Sequence, residues 1–100
     1  MKHLYNSKGQ HIATEQDGRL YTPMGRSIGH FVSEYGIFID MRGRYLGEIM
    51  YDNRLLYNRY SPFRSTPFGI WGDYGTITSH GAPGKLGPIG LPSGFEDVEL

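Results

Sequence analysis

Leu20-Tyr21-Thr22-Pro23-Met24-Gly25 holds the reading that decides the fold, because the chain repeats it. Leu4-Tyr5 leads into Asn6-Ser7-Lys8-Gly9, and Phe38-Ile39 leads into Asp40-Met41-Arg42-Gly43. Leu56-Tyr57 leads into Asn58-Arg59-Tyr60-Ser61, where serine stands in the glycine's place. A repeat of about 16 to 18 residues is one supersecondary unit that cannot bury its own apolar face, so neighbouring copies must cover it.

The turn chemistry predicts a β-hairpin in each copy. A type I turn favours a short polar residue first, proline second and glycine fourth. Asn6, Thr22, Asp40 and Asn58 fill the first place, and Pro23 the second in its copy. Gly9, Gly25 and Gly43 fall where a left-handed residue makes the bulge that matches strand twist. Ser61 is expected to strain that conformation, and Pro62 after it cannot donate to a ladder. The fourth hairpin is therefore expected to be irregular.

The strands align as well. Leu4, Leu20, Phe38 and Leu56 are expected on one shared core face. Tyr5, Tyr21, Ile39 and Tyr57 should point the other way, with tyrosine rings packed and hydroxyls wet. After each turn Ile12, Ile28 and Leu46 coincide, followed by Ala13, Gly29 and Gly47; such small residues mean that something approaches the backbone. The equivalent strand of the next copy, near a central axis, is the expected neighbour. Ser65 would keep the size rule in the fourth copy and Arg64 would break the apolar one. Asp17-Gly18, Tyr35-Gly36 and Asp52-Asn53 read as further tight turns between copies.

One hundred residues make one domain, and eight Tyr, five Phe and one Trp suit half-buried pleated surfaces. The fold class is therefore all-β: about four short hairpins in a closed array over residues 1–71, then an extended Gly/Pro-rich tail over 72–100. No apolar stretch of about 20 residues predicts a membrane span, and no leader is visible. The chain has no cysteine, so no disulfide frame or thiolate chemistry is expected, and a cytoplasmic location is the expectation.

The tail differs in charge and composition. Residues 1–71 carry nine Lys or Arg against six Asp or Glu, whereas 72–100 carry Lys85 against Asp73, Glu96, Asp97 and Glu99. From Gly81 glycine falls every third residue with proline between, in the frame of Gly72 and Gly75. That is a collagen-like pattern, too short for a triple helix, and it predicts an extended polyproline-like segment. Leu86, Ile89, Leu91, Phe95, Val98 and Leu100 are anchors that a free tail would lack. The tail should dock on its own domain or on a neighbouring chain.

With these motifs laid out, residues 2 to 61 resemble the small bacterial proteins called four-fold β-flower domains. The carriers are L-Y-N-S-K-G-Q, L-Y-T-P-M-G-R-S-I-G and F-I-D-M-R-G-R-Y-L-G; the end through Gly94-Phe95-Glu96-Asp97-Val98 is similar too. The resemblance implies that the hairpins are petals arranged round a pseudo-four-fold axis. It implies no activity and no catalytic residues.

Chemistry-bearing residues are sparse. His3, His11, His30 and His80 have no local ligand spacing, although His3 and His11 can face each other across the first hairpin; a metal there would need a third ligand. Asp17, Glu34 and Asp52 recur near the inter-copy turns, where turn formation explains them. Arg19, Arg42, Arg44, Arg54, Arg59 and Arg64 among tyrosines suggest a stacking surface, but an excess of three charges falls short of a nucleic-acid footprint. The tail has no phosphate-loop motif, and Ser93 has no activating neighbour. No catalytic residue, metal ligand or cofactor is assigned, and binding residues stay unassigned. The expected role is a non-catalytic structural or interaction module acting through self-assembly or through protein or ligand binding, with a homo-oligomer expected and a protein partner possible. The alternative is a small enzyme or nucleic-acid-binding effector, with a site assembled from several repeats in a polar pocket where the petals converge.

Overall fold

A computed structural model of the chain describes residues 1–69, 72, 75–77 and 83–100. Eight strands follow in order: β1 (Lys2–Tyr5), β2 (His11–Gln16), β3 (Arg19–Tyr21), β4 (Ser27–Val32), β5 (Ile37–Asp40), β6 (Tyr45–Met50), β7 (Arg54–Asn58) and β8 (Phe95–Asp97). There is no helix among the described residues. Each strand pairs antiparallel with the next. A parallel contact between Tyr5 of β1 and Arg54 of β7 then closes β1–β7 into a seven-stranded barrel. The Tyr5 N–H donates to the Asn53 carbonyl at 2.8 Å across that seam. The expected all-β class holds. The arrangement differs in detail from separate petals, because the segments between copies are hairpin turns too and the sheet runs on without interruption.

Local chemistry sets the turns. Gly9, Gly25 and Gly43 have φ of 87°, 91° and 80°. Their N–H groups donate to Asn6, Thr22 and Asp40 carbonyls at 3.1, 2.8 and 3.0 Å. The side chains of Asn6, Thr22 and Asp40 accept from the backbone N–H four residues on, which ties each turn to its own first residue. A register shift follows Leu4, Leu20 and Phe38, placing Ala13, Gly29 and Gly47 opposite them. The small residues have a physical reason. A Cβ on Gly29 would run into the Ile39 carbonyl, and one on Gly47 would sit 2.7 Å from the Leu56 carbonyl. The crowding neighbour is thus the leading strand of the next copy, not the equivalent strand across an axis. The third inter-copy turn also shifts by one residue, with positive φ at Tyr51 and Asp52.

The fourth copy departs furthest from expectation. The Ser61 N–H donates to the Asn58 carbonyl at 3.1 Å, so the turn forms, and Ser61 needs no positive φ. Arg64 and Ser65 do not return beside β7, however. β8 takes that place, pairing Leu56 with Asp97, Tyr57 with Glu96 and Asn58 with Phe95. The return strand arrives from the C-terminal segment because Pro62 blocks a ladder directly after the turn.

Between turn and return strand the described residues lie against the turn end of the barrel. Backbone N–H groups of Phe68, Ile77 and Leu86, nine residues apart at each step, donate to the carbonyls of Gly43, Gly25 and Gly9 at 2.9, 2.8 and 3.0 Å. A Cβ on any of those three glycines would strike the carbonyl of Gly69, Ile77 or Leu86. The segment therefore visits the third, second and first turns in that order, and the Gly94 carbonyl accepts from Arg59 N–H at 2.8 Å as it reaches the fourth. The triplet residues Gly81 and Ala82 lie outside the described residues.

Leu4, Leu20, Phe38 and Leu56 are all buried, but the central cluster joins the first three to Ala13 and Leu55. Leu55 lies opposite Ile49, which packs on the same cluster, as does Val98 beyond β8. The opposite face packs as well, with Tyr57 half-buried on it. Tyr5, Tyr21 and Ile39 are buried, and Ile39, Val32, Ile37 and Tyr45 form a second cluster covered by Phe63 and Phe68 of the encircling segment. Burying both faces is how one thin sheet of short strands secures enough apolar area.

Candidate functional site

Among the described residues, Leu4, Leu20, Phe38 and Leu55 fill the middle of the barrel at 0–1 % exposure. Chemistry lies at the rim. Two clefts flank the start of β6 and the last residues of the chain.

The first cleft, about 540 Å³, is walled by Tyr45 and Leu46 of β6, Tyr57 of β7 and residues 96–99. The Tyr45 and Tyr57 rings meet at a tilt of 55°, with centroids 5.2 Å apart. The Tyr45 hydroxyl donates to Glu48 Oε2 at 2.9 Å and accepts from the Asn58 N–H at 3.1 Å. Burial, countered by the Asn58 hydrogen bond and reinforced by Glu48, raises its pKa well above the usual phenol range. Glu96 and Glu99 are exposed here, and the walls carry no Lys or Arg. Asp97 faces other work: its two carboxylate oxygens accept from the Ser7 N–H and hydroxyl, both at 2.7 Å.

The second cleft, about 420 Å³, lies between the second and third turns. Arg26, Arg42 and Arg44 are exposed on it, with Met41 and Leu100 as apolar lining. Asp40, also here, is occupied by the turn N–H groups of Arg42 and Arg44 and by the Arg44 side chain at 3.6 Å. The cleft is therefore basic. Arg26 and Leu100 bring long-range company that sequence order concealed.

Other sequence-derived candidates are scattered. Arg54 is buried, not part of an exposed stripe; its guanidinium donates to the carbonyls of Asn6, Ser7 and Gly87 at 3.0, 3.4 and 2.7 Å. Arg64 donates to the Ser61 carbonyl, and Arg59 sits 5.9 Å from the centroid of the exposed Tyr60 ring. His3 and His11 do face each other, 4.9 Å apart and edge on, with the Thr14 hydroxyl 3.0 Å from His11 Nε2 and 3.5 Å from His3 Nδ1. Burial first, then His3, lowers the His11 pKa, against a backbone hydrogen bond at Ala13 that raises it. His30 is buried in β4, and His80 lies outside the described residues. Asp52 pairs with Lys2 at 3.3 Å, while Asp17 and Glu34 are exposed. Among the described residues no three His, Asp or Glu side chains gather closely enough to hold a metal, and no helix is long and apolar enough to cross a membrane. Comparison with protein-family models, curated proteins and solved structures finds no match for this chain.

Proposed function

We propose that this chain is a non-catalytic structural and interaction module that works by self-assembly, built as four hairpin units round a pseudo-four-fold axis. The recurring pairs Leu4 with Ala13, Leu20 with Gly29 and Phe38 with Gly47 support the four-fold reading, as does the arrival of β8 beside the fourth leading strand. They agree with the resemblance to four-fold β-flower domains. A reducing cytoplasm suits a chain without cysteine.

The observation that carries the self-assembly reading is the distribution of apolar groups. The centre is filled by apolar side chains, while Met24 and Tyr60 on the turns and Leu100 beside them stand 57–80 % exposed. Exposed aromatic and methionine side chains are favoured where surfaces associate. Light scattering over a concentration series tests this. The expected result is a mass that rises above the 11.3 kDa of one chain. A single-chain mass at every concentration overturns the reading.

A further inference from the structure

The two rim clefts have opposite charge and share a wall. Arg44 opens the β6 region on the basic side, and Tyr45 and Leu46, the next residues, line the acidic side. Val98 and Glu99 line the acidic cleft, and Leu100 lines the basic one. One ridge, made of residues 44–46 and 98–100, therefore separates Glu96 and Glu99 from Arg26 and Arg42. Leu100, 57 % exposed, stands on it.

A surface of one sign repels its own copy. Two opposite signs side by side attract the copy after a half-turn, which is the condition for an isologous contact. We infer that a second copy of this chain docks here about a two-fold axis through the ridge, the acidic cleft of each copy over the basic cleft of the other. This inference rests on the self-assembly reading and names its partner and surface. Leu100 and Met41 supply the apolar middle, and the charges form the rim and fix the register. The contact closes on itself, so assembly at this surface stops at the dimer.

Charge reversal on the full chain tests it. Arg42→Glu and Glu99→Arg each place like charges opposite one another twice per dimer, and each alone should weaken dimerisation at least about tenfold in sedimentation equilibrium. Mixing the two variants restores opposite charges at both contacts, so the mixture should dimerise again. Raising salt to about 1 M, where screening acts within about 3 Å, should weaken the wild-type dimer. Both residues are exposed, and circular dichroism with the neutral pair Arg42→Gln and Glu99→Gln checks that folding is intact while giving a smaller loss in the same direction. Wild-type association that neither reversal alters overturns this interface and leaves self-assembly standing. So does assembly that grows beyond the dimer through charge-insensitive contacts. A wild-type chain that stays single at every concentration overturns both.

Discussion

At the scale of the residue, Asp97 and Arg54 show how a single side chain can tie together distant parts of the chain. Asp97 satisfies the buried Ser7 N–H and hydroxyl from ninety residues away. Asp97→Ala leaves that N–H without its acceptor, which costs about 1–3 kcal/mol, and thermal unfolding should move down by about 4–8 °C per kcal/mol. Arg54→Lys keeps the charge but loses the fork that reaches three carbonyls; it should lower the melting temperature measurably, while equal melting would show that the cradle contributes nothing. His11 adds a pH dependence. Its folded pKa lies below the unfolded value, so the unfolded chain binds more protons as pH falls through about 6.5. Its contribution is present above that value and is lost as pH falls through the lowered folded pKa. Melting temperatures from pH 8 to 5 should decline less in His11→Gln than in wild type; parallel curves would contradict the assignment. Neither Asp97 nor Arg54 was legible as a structural group. An arginine among arginines reads as surface, and Asp97 reads as part of a solvated acidic end, because nothing local marks a partner far along the chain.

At the scale of the element, the turns were legible and the fourth return strand was not. Asn6, Thr22 and Asp40 bond within four residues of themselves, and the glycines that follow need positive φ, so the whole turn is written in five adjacent letters. β8 is different: thirty-odd residues separate Ser61 from Phe95, and its three residues resemble an acidic tail. The nine-residue spacing of Phe68, Ile77 and Leu86 is the sequence signal that points to an encircling segment, but it gains meaning only once each N–H is seen on a turn glycine. The clefts were hidden for the same reason, since Leu100 and Arg42 are neighbours only when the ring is closed. Two substitutions test element packing. Gly29→Leu drives a side chain into the Ile39 carbonyl and should cost at least the 1–3 kcal/mol typical of overpacking, roughly. Gly43→Ala adds a methyl at φ of 80° against the Gly69 carbonyl and should cost about 1 kcal/mol or more. Denaturant midpoints equal to wild type would disprove the close approach in either case.

At the scale of the whole molecule, the protein is a broad, thin body of 35 × 34 × 20 Å whose C-terminal segment completes it. The barrel is closed twice over: β1 meets β7 at Tyr5 and Arg54, and β8 lines the rest of β7 while Asp97 holds the first turn. Val98 adds to the central cluster, and Phe63 and Phe68 cover the outer one. Removing residues 81–100 therefore strips β8, the Leu86 bond to Gly9 and the acidic wall of the rim. The truncated chain should melt lower and lose assembly mass; an unchanged melt and mass would make the tail a passive extension. Amide hydrogen exchange of the intact protein tests the encircling segment most directly. The N–H groups of Phe68, Ile77, Leu86 and Ser7 should exchange slowly, as strand amides do, because each is held by an acceptor from a distant part of the chain. Exchange of these four at the rate of an unstructured chain, with the β1–β7 amides still protected, would show a barrel that stands without its tail and would contradict the account.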